Sequence, residues 1–443
     1  MSSTIAIVAC MTFIFVGFAI EAKERSNITS AVWLPFIWMI ISASRSVGQW
    51  LNILGFEYGR SHSYYEASLE GSIVDQVVLS AVLVWAVMII YKRRESVIGL
   101  LKNNKALLAF TIYLGITVLW AEVPEASFRK WIRLTGNFIM AAVLITEPQP
   151  FESIKSLFRR TAYLLIPLSV IFIKYFPHVG ILYSQLGSVI WVGAALMKNG
   201  LGHLSFMFSF YFLWNMISTW EGKGATKYSS VFDLIVLMMS LWLLKGTSSA
   251  ASLGSFVFGM TILIASRVPF IQKSFVKIDV LVILTVFLLL VLESSFGIIE
   301  YIVISLGRNM TFTDRVPLWT ALVDIGLRNP LWGYGYGGFW TEKRIGELEF
   351  TQGHSGYLEI FVEGGLVAVI LFGILLIAVF RNIHKGVPID YNYAVFRLSL
   401  LSMILLASVT ESCIARERDL ATFVFYIIAL YNVSPRTNVC TLA

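Results

Sequence analysis

Apolar runs separated by short polar joints recur along the whole chain. They lie near residues 4–20, 29–44, 73–91, 105–120, 131–146, 161–176, 201–219, 229–245, 248–266, 278–293, 356–380, 394–411 and 419–433. Most approach the roughly 17–25 residues that a helix needs to cross the hydrocarbon core of a bilayer. In hydrocarbon every backbone N–H and C=O must find its partner within the protein, so only helices and closed barrels span. A barrel strand alternates apolar and polar positions, whereas residues 366–380 and most of 278–293 are apolar on every side. The pattern predicts an all-α, polytopic membrane protein with about 12–13 transmembrane helices.

One stretch breaks the pattern. Residues 294–355 hold no spanning run, yet they carry Trp319, Trp332, Tyr334, Tyr336, Phe339, Trp340 and Phe350. That aromatic content does not suit a segment kept unfolded by its composition. Thr313 or Asp314 can cap a helix from Arg315 to near Leu327, with Val316, Trp319, Leu322 and Val323 on one face. Asn329-Pro330 stops that helix, and Gly333, Gly335, Gly337 and Gly338 make the next stretch rich in turns. Residues 298–306 read as an interfacial piece. The expected organisation is transmembrane helices over 1–293, a small helical cap over 294–355 and C-terminal transmembrane helices over 356–443, all in one integrated membrane domain.

Composition agrees. Hydrophobic residues make up 57% of the chain and charged residues 14%, where a soluble domain carries about a quarter charged. A net charge of +7 would raise nucleic acid as a partner for a soluble protein; here it is a topological signal first, and no nucleic-acid partner is expected. One set of alternating loops contains Lys23, Arg25, Lys92, Arg93, Arg94, Lys102, Lys105, Lys155, Arg159, Arg160, Lys223, Lys227, Arg267, Lys273, Lys277, Arg381 and Lys385. The other set contains Arg45, Arg60, Arg129, Lys130, Lys198, Lys245, Arg416 and Arg418. The richer set is read as cytoplasmic, which places 294–355 outside, and the N-terminus also if residues 4–20 span. Residues 1–20 lack a basic leader and are followed by Lys23 and Arg25, as in a signal anchor. Cys10, Cys413 and Cys440 have no metal or redox spacing.

Few residues can carry chemistry. His354 stands where the cap meets the helix that begins near Gly356. It is either an interfacial capping residue or a group poised for proton transfer near neutral pH. Glu359 and Glu363, four residues apart, share one face of that helix. Carboxylates at membrane depth are costly and are functional by default, unless both sit shallow enough to meet water. Gly364-Gly365 reads as a site of close helix packing. Arg308, Arg315, Lys198 and Lys245 are outer cations that run against the charge pattern; they are either scattered interfacial charge or, together with His354 and the glutamates, an outward diphosphate site. No Walker loop, metal-ligand motif or nucleophile elbow is present, so neither a metal nor another cofactor is expected. His62, His178, His203 and His384 stand alone and are given no role.

Several stretches resemble one family, the bacterial O-antigen ligase and polysaccharide polymerase superfamily. The strongest runs from Arg315-Val316-Pro317-Leu318-Trp319 through Pro330-Leu331-Trp332-Gly333-Tyr334-Gly335 to His354-Ser355-Gly356-Tyr357-Leu358-Glu359 and Glu363-Gly364-Gly365. Weaker matches are Trp120-Ala121-Glu122-Val123-Pro124, Lys198-Asn199-Gly200-Leu201-Gly202, Lys245-Gly246-Thr247-Ser248-Ser249 and Thr410-Glu411-Ser412. The resemblance implies a metal-independent glycosyltransferase with a GT-C-like fold in the bacterial inner membrane, its active loop periplasmic. Such an enzyme takes an oligosaccharide from undecaprenyl diphosphate and joins it to a growing chain, to lipid A–core or to a protein serine. It further implies membrane lipid, an acceptor glycan or lipid, and the flippase and chain-length regulator of the same pathway as partners. Arg315 and His354 match the family's outer-loop Arg and His, while Lys245 stands where ligases carry a second Arg, a departure closer to exopolysaccharide polymerases. A lysine lacks the bidentate fork of arginine. By resemblance, Arg315, Lys245 and Lys198 would hold the diphosphate, His354 would accept the acceptor's proton, and Glu359 or Glu363 would orient it. Two rival classes are a secondary transporter, which predicts internal repeats and midplane charges, and a lipid-sugar flippase, which has no need of a folded cap.

Overall fold

The computed structural model describes residues 2–24, 27–56, 72–184, 187–220, 227–269, 282, 285, 287–288 and 315–431. In chain order the main elements are α1 (Ser3–Glu24), α2 (Trp33–Ala43), α3 (Val47–Ile53), α4 (Ile73–Lys92), α5 (Arg94–Asn103), α6 (Lys105–Ile116), α7 (Pro124–Ile145) and α8 (Pro150–Tyr175). Then come β1 (Ile181–Tyr183), β2 (Val189–Trp191), α9 (Lys198–Trp220), α10 (Lys227–Gly246), α11 (Ala250–Ala265), α12 (Arg315–Gly326), α13 (Glu342–Leu348), α14 (Gly356–Gly386), α15 (Tyr391–Thr410) and α16 (Leu420–Leu430). The protein is an all-α polytopic membrane protein. Among the described residues its sheet is one antiparallel pair, β1 with β2, in the register Ile181 opposite Trp191.

Helices occupy the apolar runs wherever these are described, but not all of them meet the length and apolarity of a full crossing. Among the described residues, α1, α4, α8, α14 and α15 do so. Residues Ser30–Ala43 and Val47–Ile53, bent by 70° at the joint between them, make a sixth if they count as one broken span. Lys105–Trp120, α11 and α16 are apolar but shorter. The expected dozen crossings is therefore a count of apolar segments, of which five or six described ones can span alone. The run 278–293 is described only at isolated positions, and Arg308, the capping pair Thr313 and Asp314, and the interfacial piece 298–306 lie outside the described residues.

The chain forms two compact units. The first comprises Met1–Leu100, Gly136–Val257 and Arg418–Ala443; the second comprises Leu101–Thr135 and Phe258–Glu417. In the first unit α8 is the hub. Leu157, Phe158, Tyr163, Phe206, Phe208 and Phe212 are buried there. Because α8 begins at Pro150, Arg159 and Arg160 are helix residues rather than the loop cations expected. Arg160 pairs with Glu21 at 3.0 Å. Arg159 pairs with Glu24 at 2.6 Å and with Asp233 at 2.9 Å. Charges this far from water persist only with partners, and the pairs bind α1 and α10 to α8. Arg45, another expected loop cation, also turns inward. It donates to Val179 O at 2.6 Å and to Gly193 O at 2.9 Å, holding the ends of the β-hairpin. His203, read as isolated, lies 3.2 Å from Asp419.

The second unit carries the cap. Leu318, Trp319, Leu322, Phe339, Trp340 and Val362 form a small core between α12, the glycine-rich turn and α14. Helix α14 is broken at Gly365, whose φ of 65° and ψ of −169° are not helical. The turn 330–335 seats itself in the break. Tyr334 N donates to Val362 O at 2.9 Å and Gly335 N to Glu363 O at 2.8 Å. Leu366 N donates to Pro330 O at 2.8 Å, and Val367 N to Leu331 O at 3.3 Å. Tyr113 Oη of α6 donates to Gly364 O at 2.7 Å. The backbone groups that the break frees are thus satisfied by protein, the condition for irregular backbone at membrane depth. Gly364-Gly365 was expected to allow close helix packing; Gly364 does lie against Leu114 and Tyr113 of α6, and the pair is also the seat of this break.

Candidate active site

Arg315 is the first residue of α12. Four residues on, Trp319 is buried in the cap core and its Nε1 donates to Gly353 O at 2.8 Å. That bond ties α12 to the bent segment that leads to His354. His354 itself has a φ of +48°, in the left-handed region, where a non-glycine residue stays only if its surroundings hold it. Its ring lies edge-on to Phe350, with centroids 5.9 Å apart. Ser355 follows, buried, its Oγ without a hydrogen-bond partner; α14 starts at the next residue.

Glu359, one turn into α14, accepts from Gly353 N at 2.6 Å and from Ser412 Oγ at 2.9 Å. Arg416 Nη1 is 3.6 Å from the same oxygen. Glu359 therefore braces the turn just before the imidazole. Glu363 is buried beside the break in α14, where the Gly337 backbone and Lys130 face its carboxylate. Lys130 Nζ donates to Gly337 O at 2.9 Å. Gly337 and Gly333 both have positive φ. A Cβ at Gly333 would stand 2.6 Å from the backbone of Glu363 and Gly365, so the turn can approach the break only with glycine there.

The carboxylate that faces His354 belongs to Glu411, at the end of α15. Its Oε2 lies 3.8 Å from His354 Nδ1, and its Oε1 lies 3.2 Å from Arg315 Nη2. Arg315 Nη1 also donates to Thr410 O at 2.5 Å. Arg315 and His354, 39 positions apart by their numbers, thus meet on one buried side chain. Neither Glu359 nor Glu363, the partners expected of His354, takes that place. Among the described residues no three His, Cys, Asp or Glu side chains gather as a metal site would require.

Two expected site residues belong to the first unit. Lys198 is the first residue of α9 and half-buried, and Lys245 is exposed in the last turn of α10. Arg308 is among the residues not described. Three residues were not singled out for chemistry from the sequence: Glu411 and Arg416, close to Arg315, His354 and Glu359, and Lys130, which faces Glu363. Glu411 had only the weak signal of the Thr410-Glu411-Ser412 stretch, and the two cations only that of outer-loop charge.

Residues 234–373 match the O-antigen ligase family. The match takes in Lys245, Arg315, His354, Glu359 and Glu363, and it ends before Glu411. The chain is also 24% identical over 314 residues to the exopolysaccharide production protein ExoQ of Rhizobium meliloti (strain 1021), a span of 67% of this chain and 68% of that protein.

Proposed function

We propose that this chain, which matches the O-antigen ligase family over residues 234–373, polymerises repeat units carried on undecaprenyl diphosphate at the periplasmic face of the bacterial inner membrane. The observation that carries this reading is the meeting of Arg315 and His354 on Glu411, inside or beside the matched domain. A guanidinium suits the diphosphate of the carrier. An imidazole beside it suits the hydroxyl of the acceptor. The likeness to an exopolysaccharide production protein favours a growing glycan as acceptor.

The chemistry is one displacement. The acceptor hydroxyl oxygen attacks the anomeric carbon, the bond from that carbon to the diphosphate oxygen breaks, and the electron pair leaves with the undecaprenyl diphosphate. His354 takes the hydroxyl proton. Arg315 stabilises the charge that develops on the leaving group. Attack from the face opposite the diphosphate inverts the anomeric centre. No metal enters this scheme, since the guanidinium offsets the charge of the leaving diphosphate.

The test is purified enzyme in detergent with the undecaprenyl-diphosphate-linked repeat unit extracted from the producing strain. His354→Gln keeps a hydrogen-bonding side chain but cannot accept the proton, and the rate should fall by about 10²–10⁴-fold. EDTA should leave the wild-type rate unchanged. Near-normal turnover by His354→Gln would remove the general-base role, and loss of activity in EDTA with recovery on adding a divalent ion would remove metal independence. Product that forms only when lipid A–core is supplied would make the protein a ligase instead.

A further inference from the structure

We propose that Glu411 is a positioning residue that aligns Arg315 and His354 on a single carboxylate. The proposal rests on the general-base reading of His354 given above and adds a residue outside the span that matches the family.

Three observations carry it. Glu411's side chain is only 6% exposed, and a carboxylate so far from water is stable only when its oxygens are occupied. Its two oxygens face two different elements, Oε1 toward Arg315 at the start of α12 and Oε2 toward His354 ahead of α14. The residues on either side make the same connections through other atoms. Thr410 O accepts from Arg315, Glu411 O accepts from Gly356 N at 3.1 Å, and Ser412 Oγ donates to Glu359. The end of α15 therefore touches each element that brings a residue to the site in this unit.

Charged groups facing Glu411 and its neighbours include Arg315, His354, Glu359 and Arg416. Glu359 is committed to Gly353 N, Ser412 Oγ and Arg416, and Glu411 is the carboxylate facing Nδ1 of the imidazole. The side-chain amide of Gln352 also lies 3.5 Å from Nδ1, and with the proton on Nδ1 that amide turns its oxygen to the ring. A carboxylate facing Nδ1 keeps the proton on that nitrogen and leaves Nε2 to accept one, the arrangement by which a second carboxylate orients a catalytic histidine. At 3.8 Å the contact is longer than a hydrogen bond. Catalytic hydrogen bonds are commonly long without substrate and tighten in the complex. Here the tightening has a cause: a diphosphate drawn to Arg315 competes with Glu411 for the guanidinium and leaves the carboxylate to the imidazole.

Glu411→Gln preserves shape and removes the charge. In the assay with the extracted lipid-linked repeat unit, its turnover should fall at least about tenfold while the protein melts cooperatively and near the wild-type temperature. Glu411→Asp keeps the charge one methylene short and should recover most of the loss. A purely structural role does not distinguish these two variants by charge. Wild-type turnover by Glu411→Gln, an Asp variant as impaired as the Gln variant, or a Gln variant that no longer melts cooperatively would each overturn the proposal. His354→Gln in the same assay separates the two levels. If it is inactive while Glu411→Gln is normal, only the role of Glu411 falls; if it is fully active, the general-base reading falls as well.

Discussion

Replacing Gly365 by alanine tests whether the break in α14 is held by backbone chemistry. Gly365 has a φ of 65° and a ψ of −169°, a region occupied essentially by glycine alone, so a side chain there costs about 1–3 kcal/mol in backbone strain. The new Cβ would also stand 2.2 Å from Leu331 O and 2.4 Å from Leu331 C. These atoms belong to the turn that fills the break, so relief requires the turn to move away. Moving it loosens the bonds from Leu366 N to Pro330 O and from Val367 N to Leu331 O, each worth about 0.5–1.5 kcal/mol. Strain and lost bonds together come to roughly 2–6 kcal/mol, a large share of the 5–15 kcal/mol by which proteins are ordinarily stable. Gly373, in the same helix, is the control, because a Cβ there meets nothing within 4 Å. Gly373→Ala should be neutral or stabilising by about 0.5–1 kcal/mol. Both variants would be purified in one detergent and melted beside wild type, then assayed for polymer formation. Gly365→Ala should melt well below both and lose activity, since Glu363 and the turn bearing Gly333 and Gly335 shift together. Equal melting of the two alanine variants would refute the reasoning and leave the break as a feature that α14 tolerates rather than requires.

Further outcomes follow from the site and its orientation. Arg315→Ala should slow transfer while leaving the protein in the membrane; a charge-assisted contact of about 1.5–3 kcal/mol corresponds to roughly ten- to hundredfold, and normal polymer yield from this variant would remove Arg315 from the diphosphate site. Cysteines placed at Glu347, whose side chain is 61% exposed on α13, and at exposed Ser96 on α5 should react oppositely with an impermeant thiol reagent applied from outside. Labelling of the Ser96 position in intact cells would invert the orientation read from the loop charges.

The sequence by itself determined the class of protein and the extent of most helices. An apolar run long enough for a bilayer is a local property, and so is the proline that starts α8 or the asparagine–proline pair that follows α12, so no distant contact is needed to read them. Arg315 and His354 were legible for a similar reason, as polar residues at helix starts beside an aromatic-rich segment, helped by a resemblance carried by those same residues. What the local pattern could not decide was partnership. Arg159 and Arg160 look like loop cations until α1 and α10 bring Glu21, Glu24 and Asp233 to them. Gly364-Gly365 looks like a packing notch until a turn from some thirty residues earlier donates and accepts the hydrogen bonds that let the helix break there. Glu359 and Glu363 share a helical face with each other, yet periodicity along one helix says nothing of what lies across from it. Glu411, one helix further along the chain, faces His354 only because α15 packs against α14. Backbone hydrogen bonding and apolar length act over a few residues and are written along the chain, whereas a buried charge takes whatever partner the packed helices bring to it, and that choice was made by the tertiary structure.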